Sequence, residues 1–189
     1  VDDLVLCNGD TLNVDFDTQY TGGTISYNWT SSIDIGFGLT GDQNSLSFET
    51  DINDNPDPIT SLIEVTPTYT INDTQCIGTS ESFNVTVNPN FQMNDPDDVI
   101  LCNGDVFEEL TFTSQNSEGV TTYTWEIDTP TISDDALIFG EDGIGADNFP
   151  SFTTLNNTSE SIIATVTITP LFSNEGVLCS PPTETFTIT

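Results

Sequence analysis

The side chains with reactive chemistry in this sequence are four cysteines and 31 carboxylates, and there is no Lys, Arg or His to partner them. That inventory excludes more than it allows. A nucleophilic thiolate needs a cationic or imidazole neighbour to lower its pKa, and none exists. Zinc would need further Cys or His ligands in close pairs. Carboxylate pairs could serve glycoside hydrolysis. With 31 acids, however, such pairs arise by chance, so the chain reads as no enzyme. The cysteines read as structural disulfides, which places the chain in an oxidising compartment. The formal net charge of −31 excludes nucleic acid, whose binding needs Lys and Arg, and disfavours anionic membrane surfaces. Calcium is the natural counter-species for so many oxygens. Trypsin has no site.

The cysteines sit in a duplication. Asp2-Asp3-Leu4-Val5-Leu6-Cys7-Asn8-Gly9-Asp10 lies opposite Asp97-Asp98-Val99-Ile100-Leu101-Cys102-Asn103-Gly104-Asp105. Further along, Tyr27-Asn28-Trp29 aligns with Tyr123-Thr124-Trp125, Phe48 with Phe152, Val65-Thr66-Pro67 with Ile168-Thr169-Pro170, and Cys76 with Cys179. Anchors in one order define two repeats, 1–90 and 91–189, with the junction in the Pro-, Asn- and Asp-rich stretch from Asn88 to Pro96. Matching positions favour Cys7 with Cys76 and Cys102 with Cys179, although three connectivities exist. Loops of that length would restrict the unfolded chain by roughly 4 kcal/mol. Trp and the aligned Phe are 19 residues apart in the first repeat and 27 in the second, so the second carries a loop insertion near Ala136 to Phe149. Each Asn-Gly is a tight turn that needs no site to explain it.

The elements that position these residues are strands. Strand signals recur every roughly 8 to 12 residues. In the first repeat they fall at Leu4–Leu6, Leu12–Phe16, Thr24–Trp29, weakly at Ile35–Leu39, then Leu46–Phe48, Leu62–Tyr69 and Ser82–Val87. No window has helical periodicity. The pattern predicts two tandem all-β, immunoglobulin-like sandwiches of about seven strands each. Alternation puts Tyr27 and Trp29 on one face, so Trp29 and Trp125 are read as core residues rather than sugar platforms. Tyr20, Phe37, Tyr69 and Phe172 are the candidate platforms if the chain binds polysaccharide. The chain opens inside one strand pattern, Leu4-Val5-Leu6, and stops inside another, Phe186-Thr187-Ile188-Thr189, as expected of a piece of a longer polypeptide. No signal-peptide pattern opens the chain, and no stretch approaches the roughly 18 apolar residues of a membrane span.

Asp51-Ile52-Asn53-Asp54-Asn55-Pro56-Asp57 concentrates oxygen ligands, with Asp51, Asn53, Asp54 and Asp57 as candidate calcium ligands. The segment resembles the Asp-x-Asn-Asp-Asn calcium motif of cadherin linkers, although it lies within a repeat rather than between two. Its counterpart, Leu155-Asn156-Asn157-Thr158, lacks the acids. Asp142 to Phe149 resembles one imperfect calcium nonapeptide and reads as a glycine-rich loop.

Together, Cys-Asn-Gly-Asp, the Tyr-x-Trp strand, the Val-Thr-Pro strand, the hairpin cysteine and the closing Phe83-Asn84-Val85-Thr86-Val87-Asn88-Pro89 strand resemble the PKD-like repeats of giant Bacteroidetes surface adhesins. Trp29 and Trp125 are not followed by the Asp-Phe-Gly-Asp-Gly of true PKD domains, so the looser relative fits. The resemblance implies a cell-surface location, type IX secretion, a stalk of such repeats, and a role in attachment or gliding motility. The partners it implies are neighbouring repeats and other surface proteins.

Overall fold

The computed structural model describes residues 1–19, 22–90, 93–135, 138–139 and 143–189. The chain divides into two compact units, Val1–Asn90 and Phe91–Thr189, each with its own apolar core. Both are β-sandwiches, and no α-helix occurs among the described residues.

The first unit contains β1 (Leu4–Leu6), β2 (Thr11–Asp15), β3 (Thr24–Ser31), β4 (Thr40–Gly41), β5 (Ser45–Glu49), β6 (Ile59–Ile71), β7 (Thr74–Ile77) and β8 (Glu81–Val87). Its larger sheet runs β1-β8-β6-β3-β4, with β7 on the upper part of β6, and β2-β5 forms the facing sheet. Strand β1 joins β8 in parallel, while every other pairing in the unit is antiparallel. This is the immunoglobulin-like arrangement. Period-2 alternation builds the core: Leu12 and Val14 of β2 face Trp29, Ile63, Val65, Phe83 and Val85 of the larger sheet, and Thr11, Asn13 and Asp15 face solvent.

The second unit repeats the plan with β9 (Val106–Phe107), β10 (Val120–Ile127), β11 (Ile144–Ala146), β12 (Phe152–Thr153), β13 (Ala164–Asn174), β14 (Val177–Cys179) and β15 (Glu184–Ile188). A parallel bridge from Val99 to Ile188 stands where β1 stands in the first unit.

Each unit carries a proline in its longest strand, Pro67 in β6 and Pro170 in β13, where a missing N–H would normally break a ladder. The pairing explains why neither does. In a strand the N–H and C=O of one residue point to the same side, and the Pro67 carbonyl accepts from Gly78, in the break between β7 and β8. The missing donor therefore faces a gap in the edge rather than β3, where Tyr27 keeps its register with Pro67.

Two expectations change here. The segment 35–39 is not a strand: Asp34 Oδ1 accepts from Gly36 N and Gly38 N, a turn that buries Ile35 and delivers the chain to β4. The insertion of the second repeat is not a surface excursion either. It supplies Phe139 and Phe149, both fully buried, to a ring cluster with Trp125, Phe152 and Phe186, and its glycine-rich part forms β11. Its residues Ala136 and Asp142 lie outside the described set.

Candidate functional site

The four cysteines lie at strand ends, and their places follow from strand register. Cys7 follows Leu6, which pairs with Val87, which in turn pairs with Ile59 at the start of β6. Cys76 pairs with Tyr69, ten residues further along the same strand. At about 3.3 Å per residue the two thiols are separated by roughly 30 Å. In the second unit Cys102 follows Leu101, whose N–H donates to Thr189 O beyond the Ile188–Ala164 pair, whereas Cys179 pairs with Phe172, eight residues up β13. That separation is roughly 25 Å. A disulfide needs Cα atoms within about 7 Å.

The expected within-repeat bridges, Cys7 with Cys76 and Cys102 with Cys179, are therefore not formed. Cys7 and Cys179 are disulfide-bonded, while Cys76 and Cys102 are free and exposed. Duplication places one cysteine at each pole of a sandwich, and sequence alignment carries no information about poles.

The Asn-Gly turns prove to be cysteine mounts. Cys7 N donates to Asp10 Oδ2 at 2.8 Å, Asp10 N returns to Cys7 O at 3.1 Å, and Gly9 takes φ 78°. Cys102 repeats the arrangement with Asp105 at 2.8 and 3.0 Å, with Gly104 at φ 90°. Positive φ is why glycine stands there. A threonine on the facing loop fixes each turn: Thr50 Oγ1 accepts from Gly9 N, and Thr154 Oγ1 donates to Cys102 O.

Both free thiols line apolar clefts. Cys76 borders one of about 300 Å³ with Ile25, Pro67, Tyr69 and Ile77. Cys102 borders one of about 150 Å³ with Ile100, Leu101, Leu155 and Ile188. Ile77 and Ile100 are the most exposed large apolar side chains described, at 78% and 83%.

The Asp51–Asp57 loop is organised around an amide. Asn53 is buried, its Nδ2 donates to Asp57 O and Val87 O, its N donates to Asn8 Oδ1, and its Oδ1 accepts from the backbone and side chain of Asn55. The acid-free counterpart does the same: Asn156 N donates to Asn103 Oδ1, Asn156 Nδ2 donates to Glu160 O, and its Oδ1 accepts from Thr158. Asn53 thus serves as a clamp common to both repeats. Asp54 Oδ1 accepts from Asn90 Nδ2, and Asp51 and Asp57 are exposed. Among the described residues no three thiol or carboxylate side chains gather to hold a metal.

Trp29 and Trp125 are buried core residues, each laid on a glycine of the adjacent edge strand, Gly41 and Gly145, to which it is paired in register. Phe172 is fully buried, and Phe37 packs between Trp29 and Phe48, so neither is a platform for sugar. Tyr69 lines the Cys76 cleft, and Tyr20 lies outside the described residues.

Titration is governed by local contacts. Asp3 is held below the ordinary carboxylate range by the Asn84 backbone N–H, Asp34 by those of Gly38 and Gly36, and Asp128 by that of Thr165. Burial raises the Tyr27 and Tyr123 phenols.

No protein-family model matches the chain, and no curated protein matches it. Among solved structures it is similar to DIP-gamma IG1+IG2, at 11% identity over 100% of this chain and 92% of that one, with a TM-score of 0.40. It is also similar to human protocadherin-24 EC1-2, at 11% identity over 98% and 92%, with a TM-score of 0.37. Human mucin-like protocadherin EC1-2 gives 14% identity over 99% and 94%, with a TM-score of 0.32. At these scores the immunoglobulin-like assignment rests on the strand pairing described above.

Proposed function

We propose that this chain is a pair of structural repeats from a secreted cell-surface adhesin, a non-catalytic spacer that holds an adhesive part away from the cell. The observation that carries this reading is the placement of its chemistry: the cysteines stand on rigid turns and hairpins at the ends of the sandwiches, two of them oxidised. Bonded cysteines fit an oxidising location outside the cytoplasm. The charge of −31 fits a spacer whose like-charged surfaces repel over roughly 8 Å at physiological salt, which opposes collapse. The resemblance to Bacteroidetes adhesin repeats adds the finer reading, export by type IX secretion and service in attachment or gliding. Calcium on the Asp51, Asp54 and Asp57 carboxylates of that loop belongs to the same proposal as an accessory ion, with Asn53 kept for its protein contacts.

Antibodies raised against the 189-residue chain provide the test. They should label intact source cells, and brief protease shaving with a Glu-specific enzyme should remove the signal. Labelling that appears only after permeabilisation would end this reading.

A further inference from the structure

We infer that Cys76 and Cys102 are joining sites, through which further copies of this module attach end to end by disulfides, Cys102 of one copy to Cys76 of the next. Three observations converge. First, neither position can bond within its own sandwich, because strand register puts the two cysteines of each unit at opposite poles. Second, the repeat counterparts of both free thiols are already oxidised. Cys102 occupies in the second repeat the place of Cys7 in the first, and Cys76 occupies the place of Cys179. A first-strand cysteine and a hairpin cysteine are thus each used for bonding in one repeat and left free in the other. Third, each free thiol opens onto an apolar cleft beside the most exposed isoleucines described, Ile77 and Ile100. A second copy bonded at either thiol would cover this apolar surface. The occupant is a second copy because the two thiols have opposite repeat identities, so the pole bearing Cys102 finds its complement on the pole bearing Cys76.

The chemistry balances with a small-molecule disulfide as oxidant. The Cys102 thiolate attacks one sulfur of oxidised glutathione and releases a glutathione thiolate. The Cys76 thiolate of a second copy then attacks the Cys102 sulfur of the mixed disulfide and releases the other glutathione. Two thiols are oxidised, one disulfide is reduced, and the two protons end on glutathione.

The inference rests on the oxidising location proposed above, and a test in defined buffer separates the two. The Cys76→Ser and Cys102→Ser variants of the whole chain are exposed to oxidised glutathione, alone and mixed, and resolved on non-reducing gels. Both positions are exposed, so the fold tolerates serine. The mixture should give a disulfide heterodimer in about tenfold excess over the homodimer of either variant. The wild-type chain should give a ladder that collapses under reductant. Homodimers as abundant as the heterodimer, or a mixture left as glutathione-capped monomers, would overturn the inference. Failure here with surface labelling intact would leave the spacer reading standing.

Discussion

Aligned positions in the two repeats solve the same packing problem in different ways. In the first, Ser31 and Ser61 hydroxyls meet at 2.6 Å in the core and hold the Ile33 carbonyl. In the second, the aligned residues are Ile127 and Ala164, both buried and apolar. Exchanging both partners of a buried pair is nearly neutral, whereas exchanging one is costly. The tryptophans differ similarly. Trp29 Nε1 donates to Gln43 Oε1 at 3.1 Å, while among the described residues the buried Trp125 Nε1–H has no acceptor. Trp29→Phe should therefore cost about 1 kcal/mol more than Trp125→Phe in urea unfolding. Asn53→Ala removes a buried amide with several partners and should cost about 2–3 kcal/mol, more than Asn156→Ala in its more open site. Because that clamp is protein to protein, the Asn53→Ala loss should be the same with calcium and with chelator. A loss seen only with calcium would make Asn53 a ligand.

At the scale of elements, the legible part of the sequence was its periodicity. Alternation in Tyr27-Asn28-Trp29 and in Phe83-Asn84-Val85 located β3 and β8 because one face of each strand is buried, and burial leaves a period-2 signature. Strand β7 was hidden because all four of its residues are exposed and so lack that signature. The core role of Phe139 and Phe149 was hidden because an insertion in an alignment resembles a loop whether or not it folds back. Gly41 and Gly145 gave no signal at all, although a Cβ at Gly41 would collide with the Trp29 ring and one at Gly145 with the Trp125 ring. Gly41→Ala and Gly145→Ala should each destabilise their own unit by about 1–3 kcal/mol, read as an earlier urea transition. Cysteine pairing is illegible in the sequence for another physical reason: it depends on which pole a strand end occupies, and only register fixes that.

For the whole molecule, charge sets the response to solution conditions. With 31 acids and no basic side chain, salt can only screen repulsion, so the melting temperature should rise from low to physiological NaCl. The pH limits follow from shifted groups. Asp3, Asp34 and Asp128 titrate below their unfolded range, so their contribution is complete above that range and is lost as pH falls through the lowered values. Tyr27 and Tyr123 titrate above theirs, so their contribution is present below the unfolded phenol range and is lost as pH rises through the raised values. Thermal melts should therefore show a plateau bounded on the acid side by the carboxylates and on the alkaline side by the phenols. Asp3→Asn should lower the plateau and shrink the drop across the acid limb, leaving stability at its acid end nearly unchanged.

Where the cysteines bond decides between repeats closed on themselves and copies joined to one another, and non-reducing peptide mapping of the chain shaved from its source cells reads that directly. Trypsin has no site, so cleavage would use an acid-specific protease. The map should contain no peptide pairing Cys7 with Cys76 or Cys102 with Cys179, and should show Cys76 and Cys102 in disulfides to other copies of the module. Recovery of the two within-repeat pairs would contradict the register that places those thiols at opposite poles.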